Sequence, residues 1–262
     1  MEENKKVIYA GAAVICLIAL AVIVYFLFFA GKSPVPSPPL EEPSLQSETT
    51  GGGDAAGIKP EPVEPLDFAL EGSDSAVRDL IKGLSADPVF AQWILGKDLI
   101  RKFTAAVDNI AQGSSPRPHI DFFKTKKEFS VEWKNGIAYV DPASFSRYDV
   151  VADVFSSLDE EETVTLLRRM KPVFQEAYGE LGYPDKDFGQ TLLKAIDEIL
   201  RVPVPSDDMA VELDVVTYTY TDPDLEKLSD AQKHVLRMGP DNIRIIQSKL
   251  KKMAEMIKAD QN

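Results

Sequence analysis

The apolar run over residues 7–30 constrains this chain more than any other feature. It holds 24 residues without a charge, with Lys5 and Lys6 before it and Lys32 after it. At about 1.5 Å rise per residue, such a helix is roughly 36 Å long, which is enough to cross a hydrocarbon core of about 30 Å with some tilt. We therefore predict a transmembrane helix over residues 7–30, preceded by a short tail over residues 1–6.

Other interpretations of this run fit the residues less well. A cleaved signal peptide has an apolar core of about 7 to 15 residues and a small-residue exit, whereas this run ends Phe28-Phe29-Ala30. A lipoprotein signal needs small residues before its cysteine, and Ile15 precedes Cys16. A buried core helix is rarely apolar on every face. The sequence therefore favours an uncleaved membrane anchor.

The flanking charges predict the orientation of this anchor. Lys5 and Lys6 outweigh the single Lys32, so the tail is expected in the cytoplasm. We expect a single-pass protein of the bacterial inner (cytoplasmic) membrane, with its C-terminal domain in the periplasm. The small residues Ala10-Gly11-Ala12-Ala13 leave association between membrane helices open as a further possibility.

Residues 31–65 differ sharply in composition from the anchor. They hold eight of the 18 prolines and the run Gly51-Gly52-Gly53, with few large apolar side chains. Such a stretch buries too little apolar surface to offset its ordering entropy, so we predict a disordered Pro/Gly-rich linker. It is expected to act as a spacer. A docking ligand for an aromatic groove, built on the prolines of residues 34–39, is the alternative.

Residues 66–262 have the composition of a soluble globular domain and are long enough to bury a core. They carry 34 acidic against 25 basic residues. This negative excess argues against nucleic acid as a partner and against a domain that lies flat on anionic lipid. The only cysteine, Cys16, lies in the predicted membrane helix. The domain therefore has no disulfide, thiol nucleophile or thiolate metal site.

Hydrophobic periodicity and capping residues predict an α+β fold that is predominantly α, a helical domain with a small antiparallel sheet. Helices are predicted after Ser73 and after Asp87, over residues 98–111, from the capping-box residue Ser157 to Leu181 with a kink at Pro172, and over residues 187–200, 229–238 and 241–258. Strands are predicted over residues 129–133 and 137–140, joined as a hairpin, and over 211–220 as one half-buried strand.

Motifs that would define a metal, cofactor or nucleotide site do not occur in this sequence. His119 and His234 stand in different contexts, and neither belongs to an HExxH or Cys/His pattern. There is no phosphate-binding glycine loop and no G-x-S-x-G elbow. We predict no cofactor, no metal and no nucleotide. A pair of catalytic carboxylates has no spacing signature, so Asp108, Asp149 and Glu176 stay open as acids that could also be caps or ion-pair partners.

Four stretches, in the same order along the chain, resemble the domain-of-unknown-function family 3014. They are LIRKFTAAVDNIAQG (99–113), YVDPASFSRYD (139–149), FQEAYGELGYP (174–184) and LRMGPDN (236–242), and the resemblance covers about residues 70–258. Members of this family are bacterial proteins with one membrane helix and a Pro-rich spacer, and no activity is assigned to them. The resemblance points to nine polar positions that packing alone would not require: Arg101, Asp108, Asn109, Arg147, Tyr148, Asp149, Glu176, Tyr183 and Arg237.

These polar positions allow two interpretations. They form a buried hydrogen-bond network, or they form a patch whose arginines bind a carboxylate or phosphate of an envelope component. No catalytic residue is assigned. The favoured hypothesis is a non-enzymatic binding or scaffold module that captures a protein or cell-wall partner within reach of the linker. The alternative is a tethered hydrolase of glycan or peptide that uses a carboxylate pair.

Overall fold

Short polar side chains define where several helices of the domain begin. The side chain of Asp87 accepts a hydrogen bond from the backbone N–H of Val89 at 2.7 Å, and Asp159 accepts one from Glu162 at 2.8 Å. Ser229 forms a capping box with Gln232. Each cap satisfies an N–H group that the first helical turn leaves without a partner, so these residues set the starts of the helices.

The computed structural model describes residues 64–66, 68–120, 128–205, 208–215 and 217–259, all within one compact unit. The helices are α1 (Asp74–Ile81), α2 (Pro88–Trp93), α3 (Leu99–Ala111), α4 (Pro142–Phe145), α5 (Asp149–Ser157), α6 (Glu160–Arg169), α7 (Lys171–Glu180), α8 (Phe188–Leu200), α9 (Pro223–Glu226), α10 (Asp230–Leu236) and α11 (Pro240–Ala259). The strands are β1 (Val131–Lys134), β2 (Ile137–Val140), β3 (Ala210–Asp214) and β4 (Thr217–Tyr220).

Helices α1, α3, α7 and α8 enclose one part of the core. Helix α3 packs against both α7 and α8. Ile100 of α3, Phe174 of α7 and Phe188 of α8 are buried in the same cluster, and the rings of Phe174 and Phe188 stack with their centroids 5.2 Å apart. This packing fixes the polar side chains that the three helices share.

The four strands form an antiparallel sheet in the order β1-β2-β3-β4. Asn135 and Gly136 connect β1 to β2, and both have positive φ, as a tight two-residue hairpin turn requires. Val140 and Val211 lie in a buried cluster with Leu236 of α10, so the sheet packs on the helix that precedes α11.

Helix α11 contributes to two buried clusters: Ile243 lies in the cluster of the sheet, and Ile246 and Leu250 lie in a cluster with Val151 and Ile196. It packs against α5, α6 and α8. The side-chain amide of Gln247 donates to the backbone carbonyls of Ile199 at 3.1 Å and Val202 at 2.8 Å, and so satisfies carbonyls at the end of α8. The end of α8 is thereby held against α11.

The predicted α+β class, mostly helical with a small antiparallel sheet, is confirmed. The single strand over residues 211–220 is wrong: β3 and β4 form a hairpin, and Val215 at its turn has φ of 51°. The capping role of Ser157 is also wrong, because Ser157 is the last residue of α5 and its hydroxyl donates to the carbonyl of Val154. Asp159 caps the next helix instead.

The helix predicted from Ser157 to Leu181 is two helices, α6 and α7. They meet at Met170, and Pro172 lies in the first turn of α7, where its missing N–H removes no helical hydrogen bond. A new helix therefore starts where a kink was predicted.

The predicted tail, membrane helix and linker lie outside the described residues, apart from Glu64 and Pro65 of the linker. Among the helices of the described part, none combines the length and hydropathy that a membrane crossing requires.

Candidate functional site

Arg101 joins α3 to α7 through a forked ion pair. Its Nε lies 2.6 Å from Glu180 Oε2 and its Nη2 lies 3.0 Å from Glu180 Oε1, while Nη2 also donates to Glu71 at 3.2 Å. The hydrogen bond from Arg101 lowers the pKa of the Glu180 carboxyl. Arg101 is thus engaged in an ion pair at the surface of the domain, with 33% of its side chain and 46% of the Glu180 side chain exposed.

Asp108 is the buried carboxylate of α3, with only 9% of its surface exposed. Its Oδ2 accepts from Gln112 Nε2 at 2.6 Å, and its Oδ1 accepts from the hydroxyl of Tyr178 at 3.4 Å. The Tyr178 hydroxyl in turn accepts from Thr191 at 3.1 Å. These hydrogen bonds connect α3, α7 and α8, and burial raises the pKa of Tyr178.

Tyr183 and Asn109 extend this network toward the surface. The hydroxyl of Tyr183 accepts from Gln112 at 3.3 Å, and its ring lies 4.9 Å from the ring of Tyr178. The amide of Asn109 donates to the carbonyl of Ser115 at 3.5 Å, in the loop that follows α3. Both residues therefore bond within the domain.

We expect Asp108→Ala to lower the free energy of unfolding by about 1–3 kcal/mol, because it removes the acceptor for Tyr178 and Gln112. Urea denaturation of the full chain followed by circular dichroism measures this. Glu176→Ala is the matched control: it removes an exposed carboxylate and should change stability by less than about 0.5 kcal/mol. Equal stability of the two variants would contradict the network interpretation of Asp108.

The second and fourth of the family-like stretches meet beside the sheet. The amide of Asn242 in α11 donates to the Asp149 carboxylate at 3.0 Å and to the carbonyl of Met238 at 2.9 Å. Arg147 donates from Nε to the carbonyl of Ser144 at 2.8 Å, and its guanidinium lies 5.4 Å from the ring centroid of Tyr148. The hydrogen bond between Asn242 and Asp149 connects the start of α11 to the start of α5, while these Arg147 contacts are local.

Tyr148 is buried against a buried histidine. Its ring meets the ring of His234 edge to face, with the centroids 6.2 Å apart. Burial, and then the nearby guanidiniums of Arg237 and Arg117, lower the pKa of His234 to about 4. Arg237 itself is exposed on the surface at the end of α10.

Seven of the nine polar positions make contacts inside the domain. Within the described part of the chain, three of the nine side chains form no hydrogen bond or ion pair: Glu176 and Arg237, which are exposed, and Tyr148, which is buried and has only ring contacts. The three acids considered for a hydrolase, Asp108, Glu176 and Asp149, lie on three different helices, α3, α7 and α5. The structure thus brings most of these residues together in two polar clusters rather than in one site.

A groove of about 530 Å³ lies along α11, against the end of α8. Leu200 and Ala254 supply apolar surface, and Arg244, Lys251 and Lys258 line it with positive charge. Glu255 is the acidic residue among the groove's lining. Sequence reasoning did not single out any of these cations.

The three cations of the groove form a row on one face of α11. They recur every seven residues, which is close to two helical turns, so neighbouring Cα atoms lie about 10.5 Å apart along the axis. Lys251 and Lys258 have no ion-pair partner within the described part of the chain, and Arg244 pairs only with the exposed Asp241 at 2.7 Å. An exposed pair of this kind contributes little, so the row remains accessible to an anion.

The other lysines of α11 point toward α6. Lys249 lies 3.1 Å from Glu160 and donates to the carbonyl of Leu158 at 2.6 Å, while Lys252 lies 3.4 Å from Glu160. The helix therefore has lysines engaged on one side and a separate cationic row on the groove side. The seven-residue spacing was the signal in the sequence that could have revealed this row.

Carboxylates, imidazoles and thiols do not cluster as metal ligands anywhere in the described residues. The groove can attract an anion electrostatically. Arg244 can bind a carboxylate or phosphate with two parallel hydrogen bonds, and the lysines can attract further anionic groups as point charges. The arrangement suits binding of an anionic ligand.

Comparison with known families identifies the class of this protein. The profile of the family described as protein of unknown function (DUF3014) matches residues 99–254, which is more than half of the chain. The chain belongs to this family, and the resemblance predicted from the four stretches is confirmed. The comparisons with curated proteins and with solved structures gave no match.

Proposed function

We propose that this chain is a single-pass protein of the bacterial inner membrane whose periplasmic domain binds an anionic component of the cell envelope. The groove between α8 and α11 is the binding site. The observation that carries the proposal is the row formed by Arg244, Lys251 and Lys258 along this groove, in a domain with an excess of acidic residues.

Screening allows the row to act independently of the domain's net charge. The Debye length is about 10 Å at 0.1 M salt. A ligand in the groove is therefore attracted by the lining cations, while its repulsion by most of the distant acidic residues is screened. The groove, of about 530 Å³, is open to solvent, so an extended ligand can lie along it. Apolar contact with Leu200 and Ala254 adds to the electrostatic attraction.

The spacing of the cations indicates the kind of ligand. Cationic residues whose Cα atoms lie about 10.5 Å apart along the helix suit an extended molecule with several separated carboxylates or phosphates better than one compact polyphosphate. Glu255 places a negative charge between Lys251 and Lys258 in the sequence. This also favours an extended ligand with separated anionic groups over a compact polyphosphate. The predicted 35-residue linker, taken as a flexible chain, would span on the order of 30–35 Å, so we expect the ligand to lie close to the membrane. Cell-wall glycopeptide with free carboxylates fits both conditions.

Co-sedimentation of the detergent-solubilised full chain with purified peptidoglycan sacculi tests this function. We expect the triple variant Arg244→Gln, Lys251→Gln, Lys258→Gln to bind about tenfold more weakly, because three exposed charge interactions of about 0.2–1 kcal/mol each are lost. Binding of the unmodified chain should also fall between 0.1 and 1 M salt.

The matched control is Lys97→Gln, Lys102→Gln, Lys227→Gln, which removes the same charge from exposed positions outside the groove. It should bind as the unmodified chain does. Equal binding by the groove variant, or an unmodified chain that stays in the supernatant, would overturn the proposal. Release of soluble sugar or peptide from the sacculi would support the tethered hydrolase instead.

A further inference from the structure

Strand β1 is an edge strand of the sheet, and no strand of the described part of the chain lies on its outer side. The carbonyl of Ser130 accepts a hydrogen bond from the backbone N–H of Asp141 at 3.1 Å, in the hairpin with β2. Because the hydrogen-bonding direction alternates along a strand, the N–H and C=O groups of Val131 and Trp133 point away from β2. Within the described residues, β2 is the one strand that pairs with β1. These backbone groups are a template for another strand.

We propose that this edge pairs antiparallel with the same edge of a second copy of the chain, about a two-fold axis at Trp133. In this register the outward N–H and C=O groups of Trp133 in each copy meet those of the other copy. Glu132 then lies directly opposite Lys134 of the second copy, and Lys134 lies opposite Glu132 of the second copy. The two-fold symmetry therefore gives two favourable cross-strand charge pairs.

The charges select this register over its neighbours. A two-fold axis at Glu132 would place two glutamates directly opposite each other, and an axis at Lys134 would place two lysines opposite each other. Like charges in such positions repel. The pattern Glu132-Trp133-Lys134 is thus self-complementary only when it is centred on the tryptophan. A strand with a different charge pattern is disfavoured, so the edge discriminates between partners.

The tryptophan supplies apolar surface for this contact. Trp133 is 69% exposed in the single chain, although its cross-strand partner Ala138 is buried. Directly opposite residues of paired strands lie on the same face, so the two indole rings would cover each other. In the single chain Lys134 pairs with Glu132 at 3.4 Å and with Asp208 at 2.5 Å. Glu132 and Lys134 are about half exposed, at 44% and 46% of their side chains, and exposed ion pairs are weak, so both side chains can exchange these partners for the cross-strand pairs.

The test reverses the charge of Glu132 or Lys134 in the full chain, solubilised in detergent, and measures self-association. We expect the unmodified chain to sediment as a dimer in analytical ultracentrifugation. Glu132→Lys and Lys134→Glu, each alone, should weaken self-association by roughly tenfold, because each places like charges in both pairs. An equimolar mixture of the two variants should restore dimers, since one copy then carries two lysines and the other two glutamates. Two affinity tags, one for each variant, identify the mixed dimer.

Thermal unfolding by circular dichroism checks that both variants are folded. A monomeric unmodified chain overturns the proposal. So does a dimer that neither substitution weakens, which is the result expected if association occurs through the membrane helices. Failure of the mixture to form mixed dimers, with both variants folded, also overturns it.

Discussion

Replacing Gly239 with alanine should lower the free energy of unfolding by about 2–4 kcal/mol. Gly239 has φ of +84°, a conformation that residues with a Cβ adopt only with strain. A Cβ atom at this position would lie 2.5 Å from Cγ and 2.6 Å from Cβ of Phe145. The contact is with the base of the side chain, so rotation of the ring cannot relieve it.

The control for this substitution is Gly136→Ala. Gly136 has a nearly identical φ of +81°, but no atom lies within 4 Å of the added Cβ. We expect only the backbone strain there, about 1 kcal/mol. Urea denaturation of both variants separates the two contributions. Equal losses would contradict a close approach between α4 and the turn that leads into α11.

Acidification should destabilise the domain through His234. Burial, together with Arg237 and Arg117, lowers the pKa of this imidazole to about 4, against about 6.5 in the unfolded chain. Between these values the unfolded state binds a proton that the folded state does not. The stability contribution is therefore full above pH 6.5 and is lost as the pH falls toward 4. The total is about 3 kcal/mol, of which about 2 kcal/mol is lost between pH 7 and pH 5.

Urea denaturation at pH 7 and pH 5 measures this effect in the unmodified chain and in His234→Phe. The variant removes the titrating group and keeps an aromatic ring beside Tyr148. Its loss of stability between the two pH values should be about 2 kcal/mol smaller than that of the unmodified chain. An unaltered pH dependence in His234→Phe would contradict the buried neutral state of His234.

Local signals in the sequence predicted much of this fold. Asp87, Asp187 and Ser229 stand where helices start, and the turn residues Asn135 and Gly136 stand between β1 and β2. Such signals act within a few residues, so the sequence is sufficient to locate them. The predominantly α class follows from the same signals.

Other elements depend on contacts that a sequence pattern does not contain. The alternation over residues 211–220 is the same in one strand and in a hairpin, and Val215 occupies a positive-φ turn position that usually takes glycine or asparagine. Ser157 and Asp159 both precede a glutamate by three residues, so the capping pattern fits either. Helix α5, with the valines Val150, Val151 and Val154, has weak helix propensity and is stabilised by packing on α11.

The same limit applies to the candidate site. The pair Asp108 and Gln112 is separated by one helical turn and can be read from the sequence. Tyr178 and Thr191 belong to other helices, so their approach to Asp108 is a result of tertiary packing. The cationic row on α11 is visible as a seven-residue repeat, whereas the groove exists only because Leu200 at the end of α8 lies beside it.

Site-specific photo-crosslinking in native membranes tests the central claim most directly. A benzoylphenylalanine in place of Ser248, an exposed residue that lines the groove, should form a product that mass spectrometry identifies as a cell-wall fragment with carboxylates. The same probe in place of the exposed Glu176 on α7 should not form it. The product should disappear when Arg244, Lys251 and Lys258 are all replaced by glutamine. A product that persists in this triple variant, or that forms at position 176 and not at position 248, would contradict an anion-binding groove on α11.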